Sequence, residues 1–269
     1  MIEHIRPGAS AANARVVLFD FDGTISLIRS GWVETMVPMM VEFLAELNTG
    51  ESEASLTALV DDFVGRLTGK DTIYQMIELA DQITARGGTP QDPLVYKKIY
   101  LDRLWTRIES RVDELRRGHA SPEKYMVPGA RQLLESLRER GLRMYLASGT
   151  DEAYMKAEAE LLNVTRYFDG GVFGALDDYK SFSKAILIQR VLARAECKGE
   201  EFLGFGDGYV EIENIKQVGG VAVGVASQEP ECSSVDEWKR KRLVGVGADF
   251  IVPNYNCHAD LMGVLFPAA

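Results

Sequence analysis

The chain has 269 residues, 46% hydrophobic and 26% charged, with a net charge of −10. These values fit a globular protein of one large or two moderate domains rather than a disordered chain. No apolar run approaches the roughly 18 residues of a membrane span, and the acidic balance argues against nucleic acid or an anionic membrane as partner.

The first 13 residues lack a basic stretch followed by an apolar core, so no secretory leader is expected and the expected location is cytoplasmic. Cys197, Cys232 and Cys257 are odd in number and widely spaced, which fits reduced thiols rather than a disulfide framework or a thiolate zinc site. His4, His119 and His258 show no ligand spacing. In so acidic a chain, any phosphate-handling site must draw its positive charge from a metal or from a few placed lysines.

In chain order, residues before Arg15 read as a loose lead-in. Val16-Val17-Leu18-Phe19-Asp20 is a continuous apolar run ending in an acid, the signature of a strand buried on both faces. From about residue 27 to 125 the pattern is helical, with no convincing strand. One helix is expected over 36–47, with Pro38 near its start. Leu56, Leu59, Val60, Phe63, Val64 and Leu67 form an apolar stripe, broken by Thr68-Gly69-Lys70-Asp71. The pattern resumes at Ile73, stops at Gly87-Gly88, and returns as a long helix from Leu101 to near Gly118.

After Pro128-Gly129, helices alternate with strands expected at 142–147, 172–173, 202–206, 221–225 and 250–252. Ser181 or Ser183 is a candidate cap for the helix running to Arg194. Alternation of this kind implies a parallel sheet. The expected fold is α/β: a Rossmann-like core of residues 1–26 and 126–269, with an all-helical domain of residues 27–125 inserted.

Three of the expected strands end in polar groups: Asp20 with Asp22, Ser148, and Asp207 with Glu211. Right-handed crossovers point parallel strands the same way, so these groups share the carboxyl edge of the sheet, where open α/β sheets bind ligands. Each feature alone has a bland reading. Asp-x-Asp can be a solvated turn, Ser148 a helix cap, Asp207-Gly208 a turn dipeptide, and a lone lysine a surface residue. Their order and their placement at successive strand ends are what speak for a site. Lys239-Arg240-Lys241-Arg242 is a basic run in an acidic chain, read as a solvated face.

The pattern resembles that of the haloacid dehalogenase-like superfamily of hydrolases. Asp20-Phe21-Asp22-Gly23-Thr24 matches its first motif, and Ser148 after an apolar strand its second. Lys184 matches its lysine motif, with Lys180 as the fallback, and Gly206-Asp207-Gly208-Tyr209-Val210-Glu211 its acidic motif. The helical insertion after the first motif is similar to the family's type-1 cap. Where many members have a final aspartate, this chain has Glu211.

The resemblance implies a phosphatase acting through an aspartyl-phosphate on Asp20, with Mg²⁺ as cofactor and a small phosphorylated metabolite as substrate. It implies Asp20, Asp22 through its carbonyl, and Asp207 as metal ligands. Glu211 would hold either a metal-bound water or the lysine. Lys184 would neutralise Asp20 and the phosphoryl group, and Ser148 and the Gly149 N–H would bind phosphoryl oxygens. Asp22 would act as general acid and base, a role carbon dehalogenation does not need. Thr24 would fix the turn by hydrogen bonding. Arg29, Trp32 and Lys70 are the candidate cap-side substrate contacts. A phosphomutase of the same superfamily and a catalytically silent binding module are the alternatives; the oligomeric state is not legible.

Overall fold

The computed structural model describes residues 2–176 and 184–267. Seven strands form one sheet: β1 (Glu3–His4), β2 (Val16–Asp20), β3 (Arg143–Asp151), β4 (Gly171–Ala175), β5 (Phe202–Gly206), β6 (Val221–Val225) and β7 (Phe250–Val252). Their order across the sheet is β1-β7-β6-β5-β2-β3-β4. All neighbours are parallel except β1, which pairs antiparallel with β7. Part of the lead-in is therefore the sheet's edge strand and not loose. A two-residue strand is too short to leave a periodic trace.

Every residue of β2 is buried. Val17 and Phe19 pack into the apolar cluster on one face of the sheet, Val16 and Leu18 into the cluster on the other. This two-sided covering is why the strand reads as a continuous apolar run rather than an alternating one. Phe19 stacks on Phe205 of β5 with ring centroids 4.5 Å apart.

Between β2 and β3 lie four helices: α1 (Val33–Ala45), α2 (Glu53–Arg66), α3 (Ile73–Ala85) and α4 (Pro93–Arg116). They form the helical cap. Its buried residues, among them Met39, Val60, Met76 and Leu104, belong to the same cluster as Phe19. Pro38 falls inside α1 rather than near its start, exposed and with one i→i−4 hydrogen bond forgone. Asp92 caps α4, accepting from the Leu94 N–H at 2.8 Å, and Pro93 follows at the first helical position.

The remaining helices cover the sheet: α5 (Ala130–Glu139), α6 (Glu152–Leu161), α7 (Lys184–Ala195), α8 (Tyr209–Gln217), α9 (Glu237–Gly245) and α10 (His258–Leu265). Ser181, Ser183 and the fallback Lys180 lie outside the described residues. The three cysteines form no disulfide. No helix among the described residues is long and apolar enough to cross a membrane.

Candidate active site

Strand register assembles the site. Asp20 is opposite Ala147 in β3, so Ser148 follows directly alongside it. Phe19 is opposite Phe205 in β5, which brings Gly206 level with Asp20 and Asp207 one residue beyond. Asp20, Asp22, Ser148, Lys184 and Asp207, from four separate stretches of chain, line one cavity of ≈ 90 Å³.

Lys184, at the start of α7, donates from Nζ to Asp20 Oδ1 at 2.6 Å and to Glu211 Oε1. All three side chains are almost wholly buried. Of the two roles implied for Glu211, holding the lysine is the one seen in this geometry. Its Oε2 is buried and accepts no hydrogen bond among the described residues. Burial pushes the Asp20 carboxyl up to about 7; Lys184 opposes this shift, and the neighbouring Asp207 and Asp22 add to it.

Asp22 is held on its other flank. Its Oδ2 accepts from the Ser148 hydroxyl and from the Thr150 hydroxyl, each at 2.9 Å. Ser148 Oγ in turn accepts from the Thr150 N–H at 2.9 Å. Asp22 Oδ1 is buried without a partner among the described residues. The two hydroxyls thus satisfy one carboxylate oxygen and leave the other free of hydrogen bonds.

Asp207 is bound by a residue the sequence reading passed over. Lys239, in the first turn of α9, donates to Asp207 Oδ2 at 2.9 Å and to Glu229 Oε1 at 2.6 Å. Burial pulls the Lys239 ammonium down, but Asp207 and Glu229 overcome it and the net direction is up. The basic run is thus not a solvated face. Lys239 is tucked inward, Arg240 pairs with Glu3 at 2.8 Å, and the Arg242 guanidinium lies 3.7 Å from the centre of the Trp238 ring.

The cap closes the cavity from above. Arg29 lines it, but its Nε and Nη2 are committed to Glu158 on α6, at 2.7 Å for the shortest contact. Burial raises the Glu158 carboxyl and Arg29 opposes that. Arg29 is therefore a buried link between the first loop and α6, not a free cap-side hand. Trp32 and Lys70 also line the cavity, with the Lys70 Nζ 5.7 Å from the centre of the Tyr74 ring. The Lys70 carbonyl oxygen lies 2.6 Å from where a Gly149 Cβ would be, too close for any side chain, so only glycine there permits this approach of cap to core. Lys97 of α4 pairs with Asp151 across the same seam.

Thr24 departs from expectation. It is fully buried, its hydroxyl makes no hydrogen bond among the described residues, and it does not line the cavity. Backbone bonds hold the turn instead, from the Ile25 and Ser26 N–H groups to the Phe21 carbonyl, both at 2.9 Å. The reading also missed Thr150, Glu158, Glu229 and Lys239. Thr150 had a signal, as the next hydroxyl after Ser148 in the same loop; the others had none beyond charge.

The donor set bears on the metal. Among the described residues no three acidic, histidine or cysteine side chains converge closely enough to hold a cation by themselves. The implied set asks for less: two carboxylates, Asp20 and Asp207, with the Asp22 carbonyl. Mg²⁺ is commonly held by one or two carboxylates and keeps several waters. The all-oxygen donors of that set fit such a hard cation, and Glu211 Oε2, buried without a partner among the described residues, fits an acceptor for a water that the cation would keep.

The sequence profile of the haloacid dehalogenase-like hydrolases matches residues 14–219. The chain belongs to that family. Solved structures of the same fold include a predicted phosphoglycolate phosphatase from Haemophilus somnus 129pt, with TM-score 0.58 and 13% identity over 94% of this chain and 98% of that one. A predicted phosphatase from Clostridium acetobutylicum gives 0.59 and 17% over 93% and 98%. A protein from Thermotoga maritima provisionally assigned as a β-phosphoglucomutase gives 0.54 and 19% over 93% and 100%. No curated protein matches the chain.

Proposed function

We propose that this hydrolase is a Mg²⁺-dependent phosphatase acting on a small phosphorylated metabolite through an aspartyl-phosphate on Asp20. The observation that carries the reading is the pairing of Asp22 with two hydroxyls beside a separately held Asp20. One carboxylate is kept for attack and a second for proton transfer. With Oδ1 engaged by Lys184, Asp20 attacks phosphorus through Oδ2 while Asp22 gives its proton to the leaving ester oxygen. Asp22 then takes a proton from the water that attacks the aspartyl-phosphate. Inorganic phosphate leaves and Asp20 is regenerated.

Mg²⁺, held by Asp20, Asp207 and the Asp22 carbonyl, supplies neutralisation of the charge between carboxylate and phosphoryl oxygens. The Gly149 N–H and Lys184 orient the phosphoryl group, joined by Ser148 once its hydroxyl turns from Asp22, and the cap excludes water during transfer. Beyond Trp32, Thr68 and Asp207 a second cavity of ≈ 450 Å³ opens, with room for the rest of a small substrate.

The names of the structural neighbours support two outcomes for the phosphoryl group, water or a sugar hydroxyl. The test is a screen of phosphorylated metabolites with and without Mg²⁺. Release of inorganic phosphate that depends on Mg²⁺ supports the phosphatase. An isomerised sugar phosphate without free phosphate replaces it with a mutase. No reaction on any substrate favours the silent binding module.

A further inference from the structure

Five carboxylates crowd the strand ends: Asp20, Asp22, Asp207, Glu211 and Glu229. Lys184 serves Asp20 and Glu211. The Asp207 side is served by Lys239, whose side chain is 15% exposed against 10% and 14% for Asp207 and Glu229. The cluster is built from both sides. Lys239 is fixed at its backbone, where its N–H donates to Asp236 Oδ1 at 3.0 Å. The loop carrying Glu229 is tied to the core, with Ser227 Oγ donating to the Pro253 carbonyl at 2.6 Å and Asn254 Nδ2 to the Cys232 carbonyl at 2.7 Å. Gly23, at φ +71°, closes the other side; a Cβ there would lie 2.2 Å from Asp207 Oδ2 and 3.1 Å from Glu229 Oε1.

We propose that Lys239 is a built-in counter-ion of the metal-free site, competing with a divalent cation for the Asp207 carboxylate, with Glu229 as the acceptor that keeps the ammonium when the cation takes over. This rests on the reading of Asp207 as a metal ligand. An ammonium and a cation on one carboxylate repel, so each lowers the affinity of the other. Glu229 weakens that competition by sharing the ammonium. Without Glu229, Lys239 has Asp207 alone.

The two residues therefore have opposite signs. Titration calorimetry of Mg²⁺ into the metal-free protein reads them directly. Lys239→Met binds on the order of tenfold tighter than wild type, and Glu229→Gln several-fold weaker. In thermal denaturation without cation, Lys239→Met melts below wild type, because acids are left unpaired, and gains more from added Mg²⁺. Were Lys239 only orienting Asp207, both substitutions would weaken binding; that result, or unchanged affinity in Lys239→Met, overturns the proposal. If Lys239→Met does not fold, Lys239→Gln takes its place with the same expected sign, and unchanged or weaker Mg²⁺ binding in it overturns the proposal, as does unchanged or tighter binding in Glu229→Gln. Wild type that binds no Mg²⁺ removes the metal reading itself and this inference with it.

Discussion

The two flanks of the acid cluster use one device. On one, Lys184 spans Asp20 and Glu211; on the other, Lys239 spans Asp207 and Glu229. They differ in what surrounds them. The Lys184 flank is sealed at 3% exposure, whereas the Lys239 flank keeps 15% and opens toward the larger cavity. A sealed ammonium suits a permanent partner for a buried carboxylate such as Asp20. A less sealed one suits a partner that yields when a cation arrives. An acidic protein thus gathers carboxylates at one sheet edge without unfolding there by placing cations of two kinds.

The largest expected effects lie on the Lys184 flank and would break the comparison if absent. Asp20→Asn should lower phosphate release by at least about a thousandfold with an unchanged far-ultraviolet circular dichroism spectrum, as loss of a covalent nucleophile does. Asp22→Asn keeps the shape but not the proton, and kcat should fall by about 10²–10⁴, the usual worth of a general acid–base group, measured at saturating substrate. Lys184→Met leaves two buried carboxylates unpaired; denaturant titration of the metal-free protein near neutral pH should show a loss of about 3–5 kcal/mol.

The cap offers a smaller and pH-dependent effect. Asp71 is buried in the loop between α2 and α3, and its Oδ2 is unpartnered among the described residues. Burial pushes its carboxyl up to about 6, against the opposing pull of Lys184 and Lys97. A raised carboxyl favours the protonated form in the folded state. Stability is therefore full below the unfolded value of 3.8 and is lost as pH rises to about 6. Asp71→Asn should stabilise the protein by up to about 3 kcal/mol above pH 6 and by nothing below about pH 4, read from denaturation midpoints across that range.

Legibility follows the same division. Buried parallel strands announce themselves: 221–225 and 250–252 coincide with β6 and β7, and β2 ends on the expected acid. Residues placed just past strand ends inherit that clarity, and Asp20, Asp22, Ser148 and Asp207, with Lys184 from the start of α7, line one cavity. What was hidden depends on tertiary pairing. The α9 helix buries only Leu243 and has no apolar stripe to find, so Lys239 looked like one charge among four. Arg29 looked like a substrate contact because Glu158, 129 positions away, is invisible as its partner. Thr24 looked like a turn-fixing hydroxyl because local sequence cannot tell that backbone groups already hold the turn.

The central claim is that Asp20 accepts the phosphoryl group. Acid-quenched mass spectrometry of the Mg²⁺-loaded protein, mixed with a phosphomonoester that it turns over, tests it directly. The account predicts one phosphoryl group on the peptide bearing Asp20 in wild type and none in Asp20→Asn. Turnover with no phosphorylated protein, or a phosphoryl group on any other residue, would contradict it.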